Sequence, residues 1–316
     1  MSFEFRREGR VWLEYNSNLY LLHTTRDVSF SQTFKQAEVA KKTLHNLGNI
    51  IEGSSIVEAN PANFSFTMFL VDETIKYQHK PLDLLLLQSS TESAEQYLDT
   101  FNLYFVYSDY SPEIYYKIRN CFFTSGSFKI PRNGIMTVEL SGEGSQLTRV
   151  SGSTPGSIFA GYDAVPTYGV SKEFDVRLGG IGVGNKLDNI LGASFEIQND
   201  VSWTKNTTLQ ESLQVTDESN TIYPEKFTLQ KRSIAGNIQQ YIDETKSQSK
   251  DNVLTWAENT SVLISAGLSP SNYQLQLYMN GNASFTNRAN FGEVFVQDYD
   301  FRLMDLPTSW TTLLTY

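Results

Sequence analysis

Cysteine and histidine are scarce in this sequence, and their scarcity removes several classes of site. Cys121 is the one cysteine, which excludes an internal disulfide framework and a cysteine-rich metal site. The three histidines, His23, His45 and His79, lie far apart, without the spacing of metal ligands or the basis for a catalytic triad. The densest apolar cluster, 84–87, is far shorter than the ~18 residues of a membrane-spanning helix.

The sequence also has fewer positively charged residues than negatively charged ones. The chain has 25 Lys and Arg residues against 35 Asp and Glu residues, a net charge of −10. Binding to nucleic-acid phosphates needs a basic surface, so a nucleic-acid reader is disfavoured. With 316 residues, 40% of them hydrophobic and 13% aromatic, the chain can bury a sizeable core. Its length predicts two domains.

Helical periodicity is rare, and an alternation of apolar and polar residues dominates instead. In the segment 195–203, Phe195, Ile197, Val201 and Trp203 fall on one face, and Glu196, Gln198, Asp200 and Ser202 fall on the other. Similar runs recur along the whole chain. The pattern predicts an all-β fold with one short flanking helix per domain, at 81–88 and at 251–258.

A run of structure-breaking residues, Ser151-Gly-Ser-Thr-Pro-Gly-Ser157, interrupts the middle of the chain. The order of predicted strands and the helix before this run resembles the order after it. The sequence therefore predicts two tandem domains of β-sandwich or barrel type, covering 1–152 and 173–316, with a linker at 153–172.

Two long polar segments, 35–60 and 204–224, separate predicted strands. The first is long for a connection without structure inside a compact domain. It carries apolar residues that we expect to form an arm contacting a neighbouring subunit: Leu44, Leu47, Ile50, Ile51 and Ile56. A small local core beneath the loop is the alternative interpretation.

No motif for chemistry stands out. The glycine-rich stretch 179–184 lacks the spacing of a phosphate-binding loop, and no G-x-S-x-G motif is present. We therefore predict no catalytic, cofactor-binding or metal site, and a protein that is not an enzyme. A pair of carboxylates of the glycosidase type stays open, so a carbohydrate-active β-sandwich protein is the less favoured alternative.

Each half of the sequence resembles the tail tube proteins of long-tailed bacteriophages. In the first half the resemblance rests on Arg10-Val-Trp-Leu13, on Val28-Ser-Phe-Ser-Gln-Thr-Phe34 with the arm after it, and on Asn63-Phe-Ser-Phe-Thr67, Cys121-Phe-Phe-Thr124 and 138–147. In the second half it rests on 193–203, on Arg232-Ser-Ile-Ala-Gly-Asn-Ile238 and on Gln297-Asp-Tyr-Asp-Phe-Arg-Leu303.

The resemblance implies a structural virion protein that is assembled in the host cytoplasm and located in the tail. A duplicated tube domain implies homotrimeric, pseudo-hexameric rings that stack into a hollow tube for DNA delivery. The implied partners are the tape measure protein and transiting DNA in the lumen, the tail terminator, and baseplate or tip proteins; a sheath protein is left open. A protein of the baseplate that initiates the tube, or a tube protein of another injection system, is the alternative.

If the alternating strands are the inner hairpins of such a tube, their polar faces line the channel. The lumen-lining candidates are the carboxylates Glu139, Glu196, Asp200, Asp298 and Asp300. With few cations beside them, they would repel DNA phosphates and let DNA pass without a binding minimum.

Overall fold

The computed structural model describes residues 10–41, 51–70, 80–86, 100–106, 114–151, 157–158, 168–179, 185–204, 223–224, 226–241, 256–269, 272–291, 295–304 and 314–315. The strands before the predicted linker are β1 (Arg10–Tyr15), β2 (Asn18–Leu22), β3 (Thr24–Ser31), β4 (Phe34–Lys41), β5 (Ile51–Ala59), β6 (Ala62–Phe69), β7 (Phe101–Val106), β8 (Ile114–Pro131), β9 (Thr137–Gly144) and β10 (Gln146–Ser151). The helix α1 (Lys80–Leu86) lies between β6 and β7.

The remaining strands begin inside the predicted linker. They are β11 (Ser157–Ile158), β12 (Glu173–Leu178), β13 (Asn185–Leu187), β14 (Ile190–Thr204), β15 (Lys226–Tyr241), β16 (Trp256–Ser269), β17 (Asn272–Phe291), β18 (Phe295–Leu303) and β19 (Leu314–Thr315). The all-β class predicted from the alternating pattern is confirmed.

The strands form one large, mainly antiparallel sheet, and β4 and β5 form a separate hairpin. Within the sheet, β8 is long enough to serve two neighbourhoods. Its first part pairs with β7 and β10, and its second part pairs with β9 and β14. The strands on both parts of β8 contribute to one buried core, which includes Leu13, Phe66, Phe105 and Phe128.

The pattern of strand pairing in the first half recurs in the second. β1 pairs with β2 and β7, as β12 pairs with β13 and β16. β6 pairs with β3 and β9, as β15 pairs with β14 and β18. β8 pairs with β7, β9 and β10, as β17 pairs with β16, β18 and β19.

This pairing pattern does not set the boundaries 1–152, 153–172 and 173–316, which stay a prediction. Two described parts of the predicted linker contact the first half. β11 pairs in parallel with β2. The Gly169 N–H donates a hydrogen bond to the Leu70 carbonyl, and the Gly169 carbonyl accepts one from the Met136 N–H.

Of the two predicted helices, one is confirmed and one is wrong over its described part. Pro81 sits in the first turn of α1, where its missing N–H costs nothing. By contrast, residues 256–258 begin β16, and Trp256 and Ala257 lie opposite Thr286 and Phe285 of β17. Strand pairing with a distant segment overrides the local helical pattern there. Residues 251–255 lie outside the described residues.

The first polar segment is not a structureless connection. β4 and β5 pair antiparallel from Phe34–Ala59 to Lys41–Ile51, with a register shift between Lys35 and Gln36. A hydrogen bond of 2.9 Å from the Asn60 N–H to the Thr33 carbonyl closes the base of this hairpin. In the described part of the chain, no helix is both long and apolar enough to cross a bilayer.

Candidate assembly surface

One face of the large sheet is polar across strands from both halves. Directly opposed residues form a row of small polar side chains that runs from β3 through β6, β9, β8 and β14 to β15: Ser29, Ser65, Ser141, Ser125, Gln198 and Ser233. Residues opposite one another share a face, so these side chains lie on one surface. The neighbouring positions on each strand, such as Phe66, Leu140 and Ile197, are buried in the core.

The lumen-lining candidates lie on this polar face. Glu139 and Glu196 both lie opposite Ser127, one on each side of β8. Asp298 and Asp300 lie opposite Gln239 and Asn237 of β15. Asp200, which is exposed, lies at the far end of the same face of β14. Their placement on one surface agrees with the predicted arrangement, and their facing a channel stays a prediction.

The same face carries more positive charge than the sequence pattern led us to expect. Lys129 Nζ lies 3.8 Å from Glu139 Oε2, and the Arg288 guanidinium contacts the Asp300 carboxylate. Lys231 lies directly opposite Asp200. Arg302 lies on the same row as Glu196, with Ala235 between them. The surface therefore combines both signs of charge, with acidic residues in excess.

The end of β14 after Asp200 packs differently from the rest of the strand. The predicted single apolar face of 195–203 is wrong after Asp200, because the register with β15 shifts between Asp200 and Val201. The extra residue of this β-bulge is Gln230 on β15, between Lys231 and Leu229. Val201 and Trp203 consequently leave the main core and pack in a separate small cluster with Phe122, Phe227 and Leu229. Trp203 Nε1 donates a hydrogen bond of 2.6 Å to Glu143 Oε2 on the polar face.

Two of the arm candidates, Ile51 and Ile56, belong to β5 of the β4–β5 hairpin. Ile56 is 50% exposed on β5, and Ile51 is the first residue of that strand. Leu44, Leu47 and Ile50 lie outside the described residues. At the base of the hairpin, the ring of Phe34 packs edge-on against Tyr223, with centroids 6.4 Å apart. The hairpin thus presents at least one apolar side chain to solvent.

A buried polar network joins the two halves, and the sequence pattern did not reveal it. Asn199 is 3% exposed; its Nδ2 donates to the carbonyls of Leu85 (3.2 Å) and Phe123 (3.0 Å). Arg232 Nη1 donates to the carbonyl of Leu86 at 2.9 Å. Burial lowers the pKa of Arg232 to about 10. The one available signal was a polar residue, Asn199, at a core-facing position of β14.

The polar sheet ends in two different strands. At one end, β3 pairs with β6 and with no other described strand. At the other end, β17 pairs with β18 along its whole C-terminal part, while the described part of β16 pairs with its outer edge as far as Thr286. Two unlike edges suit head-to-tail association of identical copies, which is a heterologous interface.

The comparisons with known proteins identify the family. The model of the Bacteriophage Baseplate Tube Protein Family matches residues 1–312, almost the entire chain. A comparison with curated proteins found no match. The chain therefore belongs to the bacteriophage baseplate tube protein family and is a structural component of the phage tail.

Proposed function

We propose that copies of this chain close head to tail into a ring whose inner wall is the polar face of the large sheet, and that the ring forms part of the tube at the baseplate. The family description names the baseplate, which favours a tube section there over the body of the tube. The role is structural rather than catalytic.

One observation carries this proposal: the polar face is continuous through both halves of the chain. Ser125 of β8 and Gln198 of β14 lie opposite each other at the boundary between the halves, so the row of polar residues crosses it without a break. A sheet with one apolar face packed on a core and one polar face suits the wall of a water-filled channel.

The repeat of strand pairing, together with the resemblance to tail tube proteins, supports three copies in the ring. Each chain contributes two similar groups of strands to the sheet, so three chains would give six such groups around the ring. This is the homotrimeric, pseudo-hexameric arrangement that the resemblance to tail tube proteins implies. Stacked rings would then continue the channel, with the tail terminator, baseplate or tip proteins and the tape measure protein as neighbours.

The charge pattern suits the passage of DNA. The acidic residues Glu139, Glu196 and Asp298 repel phosphates, while Lys129 and Arg302 between them keep the repulsion moderate. Among the described residues of this wall, a moving duplex would find no cluster of cations on which to stop. DNA is therefore a transient occupant rather than a bound ligand.

The proposal is tested by measuring the mass and shape of the purified full chain over a range of concentrations. Native mass spectrometry should give trimers, and negative-stain images should show rings with a central hole. Monomers at every concentration, with or without a purified baseplate, would contradict the ring.

A further inference from the structure

The structure contains, between its own halves, a junction of the kind that a ring needs between copies. Residues 126–130 of β8 pair antiparallel with residues 193–197 of β14. On the core side, the rings of Phe128 and Phe195 stack with centroids 4.3 Å apart. On the polar side, Lys129 lies opposite Ser194. This junction serves as a template if the strands that correspond to β14 and β8 can be identified in the other half.

β3 corresponds to β14, and two irregularities align them. The Phe69 N–H donates to the His23 carbonyl just before β3, and the Tyr241 N–H donates to the Asn189 carbonyl just before β14. In each case a bulge follows at once. A second register shift follows Lys35 in the first half and Asp200 in the second half. These two residues are 165 positions apart. With this offset Phe30 corresponds to Phe195.

β17 corresponds to β8. The alignment is fixed by a glycine and an aromatic residue that lie opposite each other on the neighbouring strands and change places between the halves. Phe64 of β6 lies opposite Gly142 of β9, where a Cβ would overlap the Phe64 ring. In the second half the glycine and the aromatic residue change places: Gly236 of β15 lies opposite Phe301 of β18, where a Cβ would overlap the Phe301 ring. Phe64 and Gly236 are 172 positions apart, as are Phe69 and Tyr241.

The equivalence of Gly142 and Phe301 also fixes which residues of β8 and β17 correspond to each other. Two residues before each of them are Leu140, opposite Gly126, and Tyr299, opposite Asn287. Residues 126–130 of β8 therefore correspond to residues 287–291 of β17. These begin just after Thr286, the last residue of β17 that pairs with the described part of β16, and no described strand pairs with their outer edge.

We propose that residues 28–32 of one copy pair antiparallel with residues 287–291 of the next copy, in the register of the internal junction. This inference rests on the proposed ring and specifies its contact. It places Phe30 opposite Ala289, and Ser31 opposite Arg288 on the polar side. Val28 and Phe30 are only half-buried at the open edge of β3, and the added strand would cover them.

Disulfide cross-linking tests the register. In the variant Ser31→Cys with Arg288→Cys, opposed residues would have Cα atoms ~4.5–5.5 Å apart, within the range that a disulfide spans. Both positions are exposed, so the substitutions should leave the fold intact. Mild oxidation should link every chain to the next and give a closed covalent ring on a non-reducing gel. Cys121 is buried, and burial raises the pKa of its thiol, so it does not compete.

The matched control is Ser31→Cys with Ser284→Cys, on the same face but four residues along β17, about 13 Å away. It should give no cross-link. If the images show rings but only the control pair cross-links, or neither pair does, the proposed register is wrong. The proposed ring is not contradicted by that result. Absence of rings from the unmodified protein would instead refute the proposed function. If the first variant fails to form rings, Ser29→Cys with Asn290→Cys tests the same register.

Discussion

Arg232 Nε donates a hydrogen bond of 2.7 Å to Asn199 Oδ1, beneath the C-terminal end of α1. Asn199 and Arg232 belong to the second half, and the carbonyls of Leu85 and Leu86, to which they donate, belong to the first. The last carbonyls of a helix lack partners within the helix and attract a positive charge. The pair therefore attaches the helix of one half to the strands of the other.

Replacing Arg232→Met should destabilise the protein by about 2–4 kcal/mol, because buried acceptors at Asn199 and Leu86 would lose their donor. Denaturant unfolding of the monomer measures this. Lys231→Met is the control: Lys231 is exposed on the adjacent position of β15, and a change within about 0.5 kcal/mol is expected there. Equal effects of the two substitutions would show that the network does not stabilise the fold.

The exchanged Phe and Gly pairs predict a compensating double variant. Phe64→Gly should cost about 3–5 kcal/mol through the cavity it leaves. Gly142→Phe alone should also destabilise, because its Cβ would overlap both the Phe64 ring and the backbone oxygen of Phe122. Phe64→Gly removes the overlap with the ring but not the overlap with the Phe122 backbone oxygen. The double variant should therefore be destabilised by at least about 1 kcal/mol less than the sum of the two single variants. Strict additivity in a denaturant-unfolding cycle would refute the equivalence of the two pairs.

His23 should make the stability depend on pH. Burial lowers the pKa of His23 in the folded protein, so the unfolded chain binds more protons in the range below the ordinary value. The free energy of unfolding should therefore fall as the pH decreases from about 6.5 towards the folded-state pKa. His23→Gln should flatten this part of the curve measured between pH 7 and pH 5. An unchanged slope in the variant would assign the dependence to other groups.

Ile56 provides a test of the hairpin as an arm. Ile56→Asp should leave the unfolding free energy within about 0.5 kcal/mol, because the side chain is half-exposed, yet it should weaken assembly by placing a charge in an apolar contact. Sedimentation at several concentrations measures the assembly. Met304→Asp, at another exposed apolar side chain, is the control that should assemble normally. Normal assembly of the Ile56 variant would remove this residue from the interface.

Reversing the charge of two lumen-lining candidates tests whether they face the channel. Glu196→Lys with Asp200→Lys should fold and assemble, but particles carrying it should eject DNA more slowly, most clearly at low salt, where attraction to phosphates is least screened. Glu173→Lys with Asp188→Lys, at exposed sites outside the polar rows, should eject at the normal rate. Unchanged ejection by the first variant at low salt would show that these residues do not face the channel.

The sequence by itself determined what depends on neighbouring residues. Alternation with a period of two identified β14 as far as Asp200, and Pro81 marked the start of α1, because both signals are local. It also placed the five carboxylates on the solvent side of their strands, since alternation assigns faces without knowledge of the partner strand.

Only the tertiary structure decided what depends on distant segments. The bulge after Asp200 sends Val201 and Trp203 to a different cluster, and β17 draws Trp256 into a strand where the local pattern predicted a helix. The pairing of Asn199 with Arg232, and the junction of β8 with β14, join residues far apart in the chain. Such contacts form because the backbone and buried polar groups must find partners in the folded state, a requirement that local spacing does not encode.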